Sequence, residues 1–152
     1  MVNVNGDIFI RRALPGDAPG LQSCMHSAYA AYNDRMGGTR LPPLELDYAD
    51  EIEHYPTWVA TLEDQVVGGI TMVFAEDIAS IANVAVSPSV QGRGLGRILL
   101  AHAETNAKEM GCTQLRLATH VLLTENVDMY LHLGWSEFDR DETRVFMKKI
   151  MV

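Results

Sequence analysis

The sequence predicts an α/β fold on the strength of three observations. Short apolar runs rich in β-branched residues, which are typical of buried strands, recur along the chain. Segments with apolar side chains at helical spacing lie between several of these runs. Within residues 81–110, a predicted strand leads through a glycine-rich turn directly into a predicted helix. The chain of 152 residues has the size of one domain, so we expect a single domain over residues 1–152.

Two helices are predicted in the first part of the chain, after a strand at residues 8–12. Residues 15–17, Pro-Gly-Asp, are typical of a helix start, because proline fits the first helical turn. The glycine pair at 37–38 is expected to end this helix, and residues 41–43 predict a turn. A second helix is expected at about residues 46–55. The apolar positions of the first helix are Ala18, Leu21, Met25, Ala28, Tyr29 and Tyr32.

A hairpin is predicted in the middle of the chain. Residues 58–62 and 66–74 are β-rich runs on either side of Glu63-Asp64, which suits a tight turn. The glycine pair at 68–69 indicates a bulge in the second strand, because glycine is unfavourable inside regular strands.

The last part of the chain is predicted to add a helix, a strand, a short helix and a closing hairpin. The first helix follows the glycine-rich turn and is expected to end at Gly111, which suits the left-handed C-cap position. Residues 114–119 are the strand, and Thr124 is expected to cap a short helix through Leu133. The hairpin pairs residues 135–138 with 144–150. The apolar stripe of the first helix is Leu95, Ile98, Leu99, His102, Ala103, Ala107 and Met110.

A strand, a glycine-rich turn and a helix start together predict an anion site. The strand at residues 81–86 is followed by Gln-Gly-Arg-Gly-Leu-Gly at 91–96, where the next helix begins. Glycines let the backbone approach a ligand closely, and the first N–H groups of a helix have no internal acceptor. We therefore expect a phosphate-bearing ligand here, the alternative being a glycine-rich turn with no ligand.

The spacing of the glycines excludes two common phosphate-binding motifs. A dinucleotide motif needs G-x-G-x-x-G, but its third glycine position is Arg97 here. A P-loop needs Lys-Ser or Lys-Thr, and neither pair occurs in the chain. The remaining pattern, Q-x-x-G-x-G with Arg93 and Arg97, resembles the acyl-CoA pyrophosphate loop of the GNAT (GCN5-related N-acetyltransferase) superfamily.

The resemblance to the GNAT superfamily covers nearly the whole chain, because the predicted order of strands and helices is also that of its fold. It implies an α/β protein with a central mixed sheet flanked by helices. Its two central parallel strands, here residues 81–86 and 114–119, splay apart and admit the pantetheine arm. It also implies transfer of an acetyl group from acetyl-CoA to a primary amine by direct attack in a ternary complex. The acceptor is then a small-molecule amine or a protein amine.

The resemblance assigns acetyl-CoA binding to residues in and around the glycine-rich turn. Main-chain N–H groups of the turn, with the side chain of Arg97, would hold the pyrophosphate, since a guanidinium matches phosphate oxygens. Main-chain groups of Val84 and Val86 would pair with the pantetheine like an added strand. The alternatives are solvated arginines and a plain sheet core. The predicted acetyl-CoA-binding residues are Val84, Ala85, Val86, Gln91, Gly92, Arg93, Gly94, Leu95, Gly96, Arg97 and Asn126.

Tyr130 is the predicted catalytic residue. The segment from Tyr130 to Gly134-Trp135 resembles the family's Tyr-x-x-x-Gly-aromatic signature, in which the phenol donates a proton to the departing thiolate. The alternative is a tyrosine that packs in the core. Asn126 lies four residues earlier and would hydrogen-bond the pantetheine amide, or serve as a first-turn polar residue. Many members place this asparagine seven residues before the tyrosine, where Leu123 stands here.

The general base is where the sequence departs from the family's pattern. A lysine-like amine with a pKa of about 10.4 is mostly protonated at pH 7 and must lose a proton before it attacks. Many relatives carry a glutamate where Ala82 stands here. The alternatives are a water relayed by Asn83 and the main chain, one of Glu76, Asp77 or His120, or an acceptor that arrives neutral. The missing glutamate also keeps open a CoA-binding regulatory module with little or no turnover.

The chain is acidic, with twenty acidic and twelve basic residues and a net charge of −8. This balance argues against nucleic acid as a partner, because phosphate binding needs a positive surface, and it suits a cationic acceptor. An acidic run in the second predicted helix is either a solvated face or a surface that attracts the acceptor. Its members are Glu45, Asp47, Asp50, Glu51 and Glu53.

The remaining expectations concern location, metals and assembly. The chain has no apolar stretch of the roughly 18 residues that a membrane span needs, and its start does not resemble a signal peptide. We therefore expect a cytoplasmic protein with no membrane partner. Cys24 and Cys112 lack metal-ligand spacing and are expected to be buried, reduced thiols, and no metal site is predicted. The oligomeric state stays open, with a homodimer as one alternative.

Overall fold

The computed structural model describes residues 2–30, 32 and 46–151. The described residues form eight strands and four helices in the predicted order, with one additional strand at the start. The predicted helix end at residues 37–38 and the turn at 41–43 lie outside the described residues. The elements are β1 Val2–Asn5, β2 Ile8–Arg12, α1 Ala18–Ala30, α2 Tyr48–His54, β3 Thr57–Leu62, β4 Gln65–Ala75, β5 Ile78–Val86, α3 Leu95–Glu109, β6 Gln114–His120, α4 Thr124–His132, β7 Ser136–Arg140 and β8 Arg144–Ile150.

The additional strand is β1, which pairs antiparallel with β2 through a turn at Gly6-Asp7. Gly6 has a φ of +61°, a conformation that suits glycine in a tight hairpin turn. The alternation Val-Asn-Val-Asn before a Gly-Asp pair is the sequence signal for this hairpin. The prediction missed it because the run is short and half polar.

The chain divides into two compact units. The first contains the described residues up to Met72 together with Asn83–His102, and the second contains Val73–Ala82 and the described residues from Ala103 onward. β4, β5 and α3 contribute residues to both units. The expectation of a single domain stays a prediction.

In the first unit the hydrogen-bonded strand order is β1-β2-β3-β4-β5. Glu63 and Asp64 join β3 to β4 with φ values of +51° and +65°, so the predicted hairpin turn is present in its left-handed form. The register shifts from Ala60 opposite Gly68 to Thr61 opposite Val66, which leaves an extra residue in β4. The predicted bulge is therefore present, and its extra residue is Val67, directly before the glycine pair.

The glycine pair in β4 also allows helices to pack closely on both faces of this strand. A Cβ atom at Gly68 would lie 3.2 Å from both the Ala85 carbonyl oxygen and Leu95 Cδ2, while one at Gly69 would collide with Leu21 Cδ1. Leu95 begins α3 and Leu21 lies in α1. The first residue of α3 is thus anchored on β4, which fixes the glycine-rich turn beside the end of β5.

The core of the first unit lies between α1, α2 and the sheet. Residues at the predicted stripe positions of α1, Leu21 and Met25, are fully buried there. Burial of such side chains is worth roughly 1.5–3 kcal/mol each and is the main force that holds the helices on the sheet. The buried members of this cluster are Ala13, Leu21, Met25, Tyr48, Val59 and Ala85.

In the second unit the strand order is β5-β6-β8-β7. β5 and β6 are parallel, and their register covers Ile78–Ser80 against Gln114–Arg116, whereas β6, β8 and β7 pair antiparallel. The predicted mixed sheet and closing hairpin are therefore confirmed. The parallel register is short, with three residue pairs.

The helix ends in the second unit confirm one sequence prediction and correct two. Gly111 has a φ of +83°, and Cys112 N–H donates to the Ala107 carbonyl at 2.9 Å, so Gly111 ends α3 as predicted. Met110 was expected in the apolar stripe but is 64% exposed, because the helix ends before it. Thr124 does not cap α4: the N-cap is the buried Leu123, and Thr124 is the first helical residue.

Candidate functional site

The glycine loop, defined as residues 91–96, connects the end of β5 to the start of α3. A 3₁₀ turn at Pro88–Val90 precedes it, and the Ser87 hydroxyl accepts a hydrogen bond of 3.3 Å from Ser89 N–H at the start of that turn. Val90 is buried and anchors the turn, whereas the following residues as far as Gly94 are exposed. The loop is therefore an open surface feature that rests on a buried base.

Two of the loop glycines are required by backbone conformation. Gly92 and Gly94 have φ values of +87° and +75°, which other residues rarely adopt. A Cβ atom on either would meet nothing within 4 Å, so neither glycine is there to make room for the protein itself. The space above the loop backbone stays open to a ligand.

Gly96 requires a different explanation. It lies in the first turn of α3 with no positive φ, and a Cβ atom there would make an ordinary contact of 3.9 Å with Val86 Cγ2. Glycine in a helix costs about 1 kcal/mol relative to alanine. No contact within the described residues requires that cost.

The start of α3 presents hydrogen-bond donors and positive charge. Ile98 N–H donates to the Gly94 carbonyl at 3.2 Å, so the N–H groups of the residues between them precede the helical hydrogen-bond ladder. Arg93 and Arg97 are exposed, and the first turn of α3 contains no acidic residue. In a chain with a net charge of −8, this is a locally positive site that suits a phosphate group.

The end of β5 places the three acetyl-CoA-binding residues predicted in this strand next to the glycine loop. Ala85 is buried in the core of the first unit, while Val84 and Val86 are half-buried. The Tyr29 hydroxyl donates a hydrogen bond of 3.0 Å to the Val84 carbonyl. This bond holds α1 against β5 and uses one of the two lone pairs of that carbonyl.

A buried carboxylate beside β5 is the feature that sequence analysis missed. Glu51 in α2 is 9% exposed and Asn83 in β5 is 6% exposed. Asn83 Nδ2 donates a hydrogen bond of 3.0 Å to Glu51 Oε1. Burial raises the pKa of Glu51, the hydrogen bond from Asn83 opposes this, and the nearby charge of Asp50 adds to the rise.

The predicted acidic run therefore divides into two kinds of residue. Asp47, Asp50 and Glu53 are exposed, and the Asp47 side chain caps α2 by accepting from Ala49 N–H at 3.0 Å. Glu51 is buried instead, while Glu45 lies outside the described residues. Position 51 lies three residues after the buried Tyr48 and shares its face of the helix.

In the second unit, Tyr130 is fixed by the end of α4. Trp135 N–H donates to the Tyr130 carbonyl at 3.0 Å, Gly134 N–H donates to the Leu131 carbonyl at 3.2 Å, and Gly134 has a φ of +94°. This is a Schellman motif, in which the residues at the Tyr130 and Trp135 positions pack together. The Tyr130 side chain is buried, with its ring centroid 5.6 Å from that of Trp135. The Tyr-x-x-x-Gly-Trp signature thus has a structural reason of its own.

Asn126 also belongs to the second unit, as do the three candidate bases Glu76, Asp77 and His120. Asn126 is half-buried in the first turn of α4, where its N–H donates to the Leu123 carbonyl at 3.0 Å. His120 ends β6, and its Nδ1 accepts from Leu122 N–H at 3.1 Å. Glu76 and Asp77 form the exposed turn between β4 and β5, and the Asp77 carboxylate accepts from the Thr113 hydroxyl at 3.2 Å. These contacts give His120 and Asp77 structural roles.

The two cysteines lie apart from the glycine loop in the sequence and are both buried. Cys24 and Cys112 are buried free thiols, and burial raises the pKa of Cys24 to about 11. Within residues 2–30, 32 and 46–151, no group of three or more His, Cys, Asp or Glu side chains could hold a metal ion. Among the helices of these residues, none has both the length and the apolar character needed to cross a membrane.

Comparisons with known proteins identify relatives of this chain. The model of the acetyltransferase (GNAT) family matches residues 24–135. YjgM of Escherichia coli K12, described as an uncharacterized N-acetyltransferase, is 34% identical over 86 residues, which cover 54% of this chain and 52% of that protein. The ribosomal protein bS18-alanine N-acetyltransferase of Salmonella typhimurium is 31% identical over 91 residues, covering 59% of this chain and 61% of that protein. The chain thus spans between half and two thirds of the length of these relatives.

A solved structure shares the fold at low sequence identity. The PaiA N-acetyltransferase of Thermoplasma acidophilum, crystallised in complex with coenzyme A, aligns with a TM-score of 0.84 and 18% identity. The alignment covers 96% of this chain and 100% of that protein. At this identity the comparison establishes the fold alone.

Proposed function

This chain belongs to the acetyltransferase (GNAT) family, and we propose that it transfers the acetyl group of acetyl-CoA to a primary amine. The acceptor nitrogen attacks the thioester carbonyl directly while both substrates are bound. The acceptor is a small-molecule amine or an amine on a protein. The name of the Salmonella relative, an alanine N-acetyltransferase for a ribosomal protein, supports the second class.

The observation that carries the proposal is the glycine loop at the start of α3. Gly96 is not required by any contact of the described residues, and the backbone of Gly92 and Gly94 is open to a ligand. The N–H groups of Gln91, Arg93, Gly94 and Gly96 are the proposed donors to the pyrophosphate. The side chain of Arg97 adds a charge-assisted contact. Coenzyme A in a solved structure of the same fold supports this ligand.

The pantetheine arm is proposed to lie along the end of β5. Main-chain groups of Val84 and Val86 pair with it in the manner of an added strand, with Ala85 between them facing the core. Asn126 is proposed to hydrogen-bond one of its amides. Because main-chain groups would make these contacts, the side chains of the two valines remain available for packing.

The chemistry is proposed to use Tyr130 as the general acid. As the nitrogen bonds to the thioester carbon, the carbon–sulfur bond breaks and leaves a thiolate, and the phenol donates its proton to that sulfur. The Schellman motif and the contact with Trp135 hold the ring in one position. A fixed donor of this kind is what proton transfer in a transition state needs.

The test combines calorimetry with a thiol-release assay. Acetyl-CoA is titrated into the protein, and free CoA is then followed with spermidine, free amino acids, an aminoglycoside, and peptides that offer an N-terminal alanine or a lysine. The proposal predicts acetyl-CoA binding and CoA release with at least one amine. Tight binding with no CoA release on any amine would favour a regulatory CoA-binding module. Ala82 is consistent with that alternative, because many relatives carry a glutamate at this position.

A further inference from the structure

The acceptor amine needs a proton acceptor, and the sequence offers none at the family's usual position. That position is Ala82, which cannot take a proton. The Asp77 carboxylate accepts from the Thr113 hydroxyl, His120 Nδ1 accepts from Leu122 N–H, and Glu76 lies in an exposed turn. The next residue of β5 is Asn83, and its side chain binds the buried carboxylate of Glu51.

We propose that Glu51, positioned by Asn83, is the general base that removes the proton from the acceptor's ammonium group. This inference rests on the proposed function and names the base for that same reaction. Glu51 comes from α2, and its carboxylate is tied by a hydrogen bond of 3.0 Å to the residue directly before Val84. The carboxylate is therefore attached to the segment of β5 proposed to bind the thioester arm.

The surroundings of Glu51 suit a proton acceptor. Asn83 Nδ2 donates to Oε1, which leaves Oε2 as the oxygen proposed to take the proton. The charge of Asp50 on the same helix raises the pKa of Glu51, and burial together with the charge of Glu51 raises the pKa of Tyr48. Within the part of the chain that the structure describes, no cation contributes to the pKa shift of Glu51.

The electrostatics move Glu51 toward useful basicity. Burial and the charge of Asp50 raise its pKa, and the hydrogen bond from Asn83 only partly opposes this. A carboxylate with an ordinary pKa of about 4.3 is a weak base toward an amine. Transfer becomes more favourable as its pKa rises toward the working pH, provided the group is still ionised.

The proposed reaction conserves protons and charge. The Glu51 carboxylate takes one proton from the ammonium and becomes a carboxylic acid, which leaves a neutral amine with a free electron pair. That pair forms the carbon–nitrogen bond, the carbon–sulfur bond breaks, and its electrons remain on sulfur. Tyr130 gives its proton to the sulfur and regains one from the nitrogen by way of solvent. Glu51 releases its proton to solvent, so each turnover yields one amide, one CoA thiol and one free proton.

The test compares Glu51→Gln with the matched control Glu53→Gln. The glutamine keeps an oxygen that can accept from Asn83, so folding should be preserved, and thermal melting verifies this. With an amine that the wild-type protein acetylates, kcat of Glu51→Gln should fall about 10²-fold or more, while the dissociation constant for acetyl-CoA stays unchanged. Glu53 is exposed on the same helix, and its variant should keep wild-type kcat.

The pH profile separates a base from a residue that only supports the structure. Wild-type kcat should rise with the ionisation of Glu51 and then level off. In Glu51→Gln that rise should vanish, and kcat should climb with pH toward the pKa of the acceptor amine. Asn83→Asp places a second carboxylate beside Glu51 and should shift the rise to higher pH.

The outcomes distinguish this inference from the function on which it rests. Absence of CoA release by the wild-type protein with every amine of the panel would overturn both. Wild-type turnover that Glu51→Gln retains would overturn the inference alone. A raised KM for the acceptor at unchanged kcat would also overturn it, because Glu51 would then bind the acceptor without taking its proton.

Discussion

Asn83 Nδ2 donates a hydrogen bond of 3.0 Å to Glu51 Oε1, and both side chains are buried. The bond joins α2 to β5 across 32 positions of the sequence. Burying a carboxylate is unfavourable unless its oxygens are satisfied, and here one donor satisfies one oxygen. The buried carboxylate of Glu51 beside β5 should therefore lower the stability of the fold, and this cost can be measured.

The stability of the protein should depend on pH through Glu51. Because folding raises this pKa, the protonated carboxyl stabilises the fold below its unfolded pKa of about 4.3, and this contribution is lost as the pH rises through the folded pKa. Each unit of the rise corresponds to about 1.4 kcal/mol. Glu51→Gln stays neutral, so its melting temperature relative to wild type should increase from pH 4 to pH 8. A difference that stays constant over this range would contradict the buried environment assigned to Glu51.

Gly96→Ala should separate stability from ligand binding. An alanine Cβ at this position fits the protein at 3.9 Å from Val86 Cγ2, and alanine favours the helix by about 1 kcal/mol. The variant should therefore melt higher than wild type. If acetyl-CoA approaches the backbone here, its affinity should nevertheless fall roughly tenfold or more, as losing one charge-assisted contact would cost. Calorimetric titration checks this, and wild-type affinity in the stabilised variant would remove Gly96 from the binding site.

Tyr130→Phe should lower turnover with little effect on the fold. The substitution keeps the ring that lies against Trp135, and the main-chain bonds of the Schellman motif do not involve the hydroxyl. If the phenol is the general acid, kcat falls about 10²-fold or more at unchanged acetyl-CoA affinity. The measurement is steady-state kinetics under conditions in which chemistry limits the rate. An unchanged kcat would assign Tyr130 to packing alone.

Gly68→Ala should destabilise the protein by roughly 1–3 kcal/mol, the usual cost of overpacking. Its Cβ would lie 3.2 Å from both the Ala85 carbonyl oxygen and Leu95 Cδ2, and a backbone atom cannot move aside easily. The matched control is Gly16→Ala, because a Cβ at Gly16 meets nothing within 4 Å. Urea unfolding of the two variants gives the comparison. Equal stabilities would show that the close packing of α3 on β4 is not constrained at Gly68.

Much of the fold could be predicted because local patterns and tertiary packing agree. The hairpin turn at Glu63-Asp64 and the helix end at Gly111 have backbone conformations that their residue types favour. Where a tertiary contact decides, local patterns were insufficient. The buried Leu123, a residue with no capping side chain, takes the N-cap position of α4, so the polar Thr124 was a misleading signal.

The candidate site shows the same division. The glycine loop was visible because its function requires special residues at fixed spacing. Glu51 was not, because a glutamate between Asp50 and Glu53 has the pattern of a solvated face. Its burial depends on Asn83, a residue of another element, and no local pattern reports that contact.

The most direct test of the proposed activity is the mass of the acceptor after incubation with the protein and acetyl-CoA. The amine panel of spermidine, amino acids, an aminoglycoside, and N-terminal-alanine and lysine peptides serves as substrate, and the same mixtures without protein serve as controls. We expect at least one amine to gain the mass of one acetyl group in the presence of protein, with an equal amount of free CoA. Unmodified amines throughout the panel, in a protein that binds acetyl-CoA, would contradict it.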